Sequence, residues 1–361
     1  MDSSFFFGLS TMAYILAMMI YITYLAFRKT QIGITATTIT IAGFVSQTLA
    51  LLMRWKEFNE ISGMGILRSA PLTNLFESLI FFVWCLILGY LIIEFKYKTR
   101  SFGAFVTPIA GLALAFIDLS GMSKEIHPLL PALQSNWLLA HVMMSFIAYA
   151  TFALSFSTGL MYLIMKTDKR NETAYIFWSF TLGVFVTLML AMGIDFLTFK
   201  VVVKPEEFIK SYMFRASFLN PSHSIKILSY VFITVIIFII WRYGSILKKV
   251  LEKFAITADT LDEIAYKSIA IGFPIFTVGG LIFGALWADQ AWGVYWSWDP
   301  KETWSLITWF IYAFYLHGRM IRGWRGKKVA IVAVTGFTAV IFTYLGVNLL
   351  LSGLHAYGEI E

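Results

Sequence analysis

Residues 74–95 read NLFESLIFFVWCLILGYLIIEF, with Glu77 and Glu94 as the only charges in the run. Built as a helix at 1.5 Å per residue, this run is about 33 Å long. That length crosses a hydrocarbon core of about 30 Å. The reading extends outward in both directions. Before it lie Phe5–Phe27 and Gly33–Met53; after it lie Phe102–Leu119, Trp137–Met165, Tyr175–Leu197, Ile225–Trp241, Ser268–Trp287, Trp304–Met320 and Val329–Leu351. The sequence therefore predicts an all-α fold, a polytopic transmembrane bundle of about ten spanning helices. Between Leu247 and Tyr266, apolar residues recur at helical spacing among Lys and Glu. This segment is expected to be an amphipathic helix on the membrane surface.

Composition agrees. Of 361 residues, 59% are hydrophobic and only 14% are charged, where a soluble domain carries about a quarter. The net charge of +7 does not point to nucleic acid, because the basic residues sit in short loops between apolar runs. Loops on one side, from Arg28 and Lys29 to Lys327 and Lys328, hold 18 of the 28 Lys and Arg residues. By the positive-inside rule that side is cytoplasmic. The expected topology is N-out and C-out. The lone Cys85 excludes an internal disulfide and a CxxC redox pair; it reads as a small buried apolar residue. No basic n-region precedes the first run, which reads as a true span rather than a signal.

The densest feature is Trp292-Gly293-Val294-Tyr295-Trp296-Ser297-Trp298-Asp299-Pro300-Lys301-Glu302-Thr303-Trp304, expected as an outer loop between the eighth and ninth spans. Interfacial belts anchor helix ends with Trp and Tyr, but five aromatics in thirteen residues exceed what a belt uses. Asp299 or Thr303 can cap the ninth helix, with Glu302 in its first turn. A flat aromatic shelf also suits a large planar apolar ligand. On the residues alone, belt and platform both stand.

Five histidines complete the set: His127, His141, His223, His317 and His355. His141 lies near the outer end of the fifth span and His355 just past the tenth. His317 lies about 20 Å beyond Trp304 along the ninth helix, near the inner side. Imidazole is a common axial ligand of heme iron, so His141 and His355 can form a bis-imidazole site beside the aromatic loop. They can equally be interfacial polar residues satisfied by water or carbonyls. His127 and His223 lie in polar outer loops and read as surface residues.

The stretch from Trp287 to Arg325, WADQAWGVYWSWDPKETWSLITWFIYAFYLHGRMIRGWR, resembles the tryptophan-rich WWD signature of the CcsA/ResC cytochrome c biogenesis family, within a superfamily that includes CcmC and CcmF. Pro71–Ser78, Pro131–Ser135 with Trp137 and His141, and the tail from Phe342 to Gly358 resemble the same family. The resemblance covers most of residues 70–165 and 260–358. It implies heme b as cofactor, with His141 and His355 as axial ligands of its iron at an outer site. It implies His317 as a transmembrane ligand, and Trp292, Gly293, Tyr295, Trp296, Trp298 and Asp299 as the cradle. It implies a CcsB/ResB-type membrane partner supplying the second transmembrane ligand, apocytochrome c with its CxxCH motif as substrate, and an indirect link to a thioredoxin-like thiol reductant system. No catalytic acid, base or nucleophile is assigned; the resemblance implies a place in a cytochrome c synthase complex without settling whether this chain is itself the enzyme. The alternative is a CcmC-type heme transporter or chaperone without synthase activity. The expected location is the plasma membrane, or the thylakoid membrane in a plastid, with the active face extracytoplasmic. The chain is expected to form one integral membrane unit. Within it, 70–165 holds the first heme-handling helices, 168–258 adds spans, an outer loop and the inner amphipathic helix, and 260–358 forms the WWD core.

Overall fold

The computed structural model describes the chain apart from residues 1, 64, 66–69, 73, 120–133, 202–222, 255 and 348–361; residues 75, 118–119, 194–201, 223–226 and 228–229 are described by backbone alone. The described residues form helices and short connections. The helices are α1 (Ser3–Phe27), α2 (Thr30–Ser62), α3 (Leu75–Tyr97), α4 (Gly103–Leu119), α5 (Asn136–Lys166), α6 (Thr173–Val201) and α7 (His223–Leu251). Then α8 (Ala258–Ile275) runs through a π-helical turn (Phe276–Phe283) into α9 (Gly284–Trp292), followed by α10 (Pro300–Met320) and α11 (Lys327–Ile341) with a second π turn (Phe342–Gly346). Among the described residues nine helical stretches are long and apolar enough to cross a membrane. α10 adds 21 residues whose charges cluster at its ends. The protein is a multi-pass membrane bundle.

The caps are legible chemistry. Asp2 accepts from the Phe5 N–H, Asn74 from Glu77 and Ser135 from Trp137, each satisfying a donor that the first helical turn leaves open. α1 and α2 form a tight hairpin, pinned at one end by Ser3 on Glu57 at 2.6 Å. α5 is the central element; its middle is buried almost without interruption from Ser145 to Ile164. The outward faces carry Ile, Val, Phe and Met, as on α7, where Ile227, Val231, Phe238 and Ile246 are exposed. In lipid such a surface costs nothing, and helix contacts are made instead by small residues and hydroxyls.

Contacts identify two ends. At one end meet Ser3 and Glu57, Phe7 and Phe76, Ser135 and Gln290, and Ser78 and Tyr344. At the other, Lys248 pairs with Asp168, Arg319 with Asp262 and Lys327 with Glu172. The hydrogen bond from Lys327 holds the Glu172 carboxyl below its usual range.

Two expectations change. The segment 247–266 is not a separate surface helix. It is the last turn of α7, which ends at Leu251, and the first turns of α8, which begins at Ala258. Thr257 caps α8 by accepting from Thr260, and Leu251, Leu261 and Ile264 are buried in the protein core. The helical spacing is real, but its apolar face meets protein rather than headgroups. Similarly α2 does not stop at Met53; it continues to Ser62 because Arg54, which looks like a terminus in sequence, is buried against Glu77.

Candidate functional site

The aromatic loop is a closed turn fixed from both sides. Gly293 ends α9 with φ +78°, and its N–H reaches the Asp289 carbonyl at 2.9 Å; this left-handed conformation suits glycine. At the far side Asp299 caps α10, accepting from the Lys301 N–H at 3.0 Å, with Pro300 at the first helical position. Glu302 reaches back to the Ser297 N–H at 2.7 Å and its hydroxyl at 3.1 Å. Between these anchors Trp298 has φ +60°, an uncommon conformation for a bulky residue that its surroundings must enforce.

The aromatic residues divide into two sets. Trp287, on α9 before the loop, is buried and meets Trp292 edge-on at 5.3 Å. Trp296 is half-buried and meets Trp298 at 5.8 Å. Tyr295 and Trp298 are 58% and 69% exposed. The first set builds the loop; the second is presented by it.

His141 stands on the first turns of α5, at the same end. Ser135 caps that helix and donates to Gln290 of α9 at 2.5 Å, and Trp137 packs on Phe283 at 5.3 Å. The His141 Nδ1 lies 2.8 Å from the carbonyl of Gly279, inside the π turn. A carbonyl can only accept, so Nδ1 carries a proton; in the neutral ring Nε2 is then the ligating nitrogen, the arrangement that fixes a ligating imidazole. Glycines make this approach possible. A Cβ on Gly279 would lie 2.1 Å from the Cβ of Met144, and one on Gly284 would lie 2.9 Å from His141 Nδ1. π turns recur at functional sites because they break the regular helix ladder.

Behind this layer α3, α10 and α11 are stitched together. Glu77 pairs with Arg54 Nε at 3.0 Å, Ser78 meets the Tyr344 hydroxyl at 2.6 Å, and Thr308 meets Thr343 at 3.0 Å. Lys301 lies 5.9 Å from the Tyr344 ring, and Trp304 packs on Phe342 at 4.2 Å. The cap of α3 is Asn74, so Glu77 is an ion-pair residue rather than a cap.

His317 is elsewhere. It is in the last turn of α10, with an exposed side chain. It lies seventeen residues past Pro300, about 25 Å along α10 from the loop end of that helix. It continues a stripe through Ile307, Phe310 and Phe314, all exposed. Beside that stripe runs a shallow groove of about 310 Å³ lined by Phe310, Ile311, Phe314, Val332 and Thr335. Arg319 points away, paired with Asp262 at 2.6 Å and lying over the Tyr266 ring.

The sequence-predicted residues thus fall into two places. His141, Trp292, Gly293, Tyr295, Trp296, Trp298 and Asp299 share one end of the bundle, and His317 stands apart. His355 and His127, with the tail beyond Val347, lie outside the described residues, as does the side chain of His223. Sequence reading missed Arg54, Trp287, Gly279 and Gly284. The Gly279-Gly280 pair inside an apolar run was the available signal for a close helix approach.

A family model described as cytochrome C assembly protein matches residues 72–355. Among curated relatives, a protein named cytochrome c biogenesis protein CcsA from Marchantia polymorpha is 37% identical over 334 residues, covering 89% of this chain and 88% of its own length. Proteins of the same name from Gloeobacter violaceus and Porphyra purpurea are each 36% identical. They cover 92% and 95% of this chain, and 89% and 93% of their own lengths.

Proposed function

Because this chain belongs to the CcsA family of cytochrome c assembly proteins, we propose that it binds heme b as cargo and presents it, beside the aromatic loop, to apocytochrome c. The observation that carries this reading is the His141–Gly279 contact at 2.8 Å. It fixes the ring of a half-buried imidazole in the orientation in which Nε2 is the ligating nitrogen, next to a shelf of Trp and Tyr. His355 is the proposed second axial ligand. Tyr295 and Trp298 offer exposed faces for a porphyrin ring; Trp292, Trp296 and Gly293 shape the loop, and Asp299 holds it to α10.

The loop end is proposed as extracytoplasmic, since the opposite end carries most of the basic residues. His317 is the proposed ligand for heme inside the membrane. Its exposure on an apolar stripe supports a second ligand from a CcsB/ResB-type partner, because an imidazole facing lipid alone is costly. The attachment adds each CxxCH thiol across a vinyl group: sulfur joins one carbon, hydrogen the other, and no redox equivalent is consumed. The chain's contribution is placement, which lowers barriers without an acid or base.

Co-expression of this chain, a CcsB/ResB-type partner and a CxxCH apocytochrome, in a host without its own assembly system, tests the proposal. A heme-stained cytochrome band on a denaturing gel is expected, and loss of the band with His141→Ala. A band of equal strength without this chain overturns the reading.

A further inference from the structure

Three charged side chains, Arg54, Glu77 and Glu94, are deeply buried on α2 and α3, and they are satisfied differently. Glu94 has hydroxyls of Thr37 at 2.6 Å, Tyr21 at 3.1 Å and Tyr90, and the Arg100 guanidinium at 3.6 Å. Its oxygens are saturated, and it reads as a structural node. Arg54 is 4% exposed, and only its Nε is used, by one oxygen of Glu77. The adjacent Nη2 is buried with no hydrogen-bond partner. The Phe76 ring lies 5.7 Å from the guanidinium carbon. A buried guanidinium donor without an acceptor is rare and calls for one, above all inside a membrane protein. The acceptor that matches a guanidinium edge is a carboxylate.

Arg54 is also well placed. Glu77 is followed by Ser78, bonded to Tyr344, whose ring faces both Lys301, two residues past Asp299, and Phe146 of α5, five residues past His141. A chain of contacts through Glu77, Ser78 and Tyr344 thus links Arg54 to the base of the loop at Lys301 and to α5 at Phe146. Glu77 is in the first turn of α3, whose positive helix end offsets a second carboxylate there.

We propose that Arg54 is a carboxylate-binding residue for the cargo, its Nη2 receiving a propionate of the porphyrin while Glu77 holds Nε. This rests on the reading that heme is the cargo. Nothing in the sequence pattern assigns Arg54, and Glu77 acts here as a positioning residue through Arg54.

The test uses the full-length protein purified with its CcsB/ResB-type partner and stripped of heme, titrated with hemin and with hemin dimethyl ester. The two differ only in their carboxylates. Wild type is expected to bind hemin about tenfold more tightly than the ester, as one charge-assisted hydrogen bond implies. Arg54→Gln brings the ratio to near one with the ester affinity unchanged. Glu77→Gln keeps the preference for hemin. The double variant Arg54→Gln, Glu77→Gln, which leaves no unpaired buried carboxylate, behaves like Arg54→Gln. A wild-type ratio near one, or equal weakening of both ligands by Arg54→Gln and the double variant, overturns the assignment. A wild type that binds neither compound overturns the heme reading and this inference with it.

Discussion

His141 and His317 are the same residue type in two different situations. His141 is half-buried, its ring fixed by a Gly279 carbonyl from a π turn and by helices brought close through glycine. His317 stands exposed on an apolar stripe of α10. The first is organised by its own chain. The second is the position proposed above to meet a ligand from the partner. The aromatic loop repeats the contrast on a smaller scale: Trp287 is buried, Trp298 is displayed. Residues that build the fold and residues displayed at its surface are interleaved in sequence and separated in space.

Substitutions can break that contrast, and their expected effects on stability fall in order. Trp287→Ala removes a fully buried side chain and is expected to cost about 3–5 kcal/mol. Thermal unfolding in detergent measures this; a loss under about 1 kcal/mol would place Trp287 among the displayed residues. Gly279→Ala forces a Cβ into the Met144 Cβ and is expected to cost about 1–3 kcal/mol. It should also disturb heme bound at His141 while leaving His317 untouched; a variant as stable as wild type with an unchanged heme spectrum would contradict the close-approach argument. Asp299→Ala is expected to cost about 1 kcal/mol, and Asp299→Asn only a few tenths, because asparagine also caps. Equal losses in both would show that the charge, not the cap, matters. Smallest are Trp298→Ala and His317→Ala, expected to shift stability by less than about 0.5 kcal/mol because both side chains are exposed. Their heme occupancy should nevertheless fall, in the case of His317 when the partner is present. A large stability loss in either would mean that the residue builds the fold.

Much of this was legible in the sequence. Apolar runs report spans directly, since every backbone group in lipid must be paired within a helix. The loop from Trp292 to Trp304 announced itself by density, and of its two candidate caps, Asp299 and Thr303, the structure uses Asp299. Other features needed coordinates. The apolar face of residues 247–266 has the same spacing whether it meets headgroups or protein. α8 passes through Pro274 and a π turn without ending, against the local signal, because packing on α5 holds it. Arg54 looked like the end of a span until Glu77 was found beside it. The Gly279 carbonyl that His141 meets is 138 residues away, and carbonyls carry no sequence signal.

The central claim is that His141, oriented by Gly279, ligates heme iron beside the aromatic loop. The most direct test is the visible absorption spectrum of the protein purified with its CcsB/ResB-type partner, compared between wild type and His141→Ala. A low-spin, two-nitrogen heme spectrum in wild type, of which the share not owed to the His317 site is lost or converted to high spin in His141→Ala, is the predicted result. An identical low-spin spectrum at equal occupancy in both proteins would contradict it.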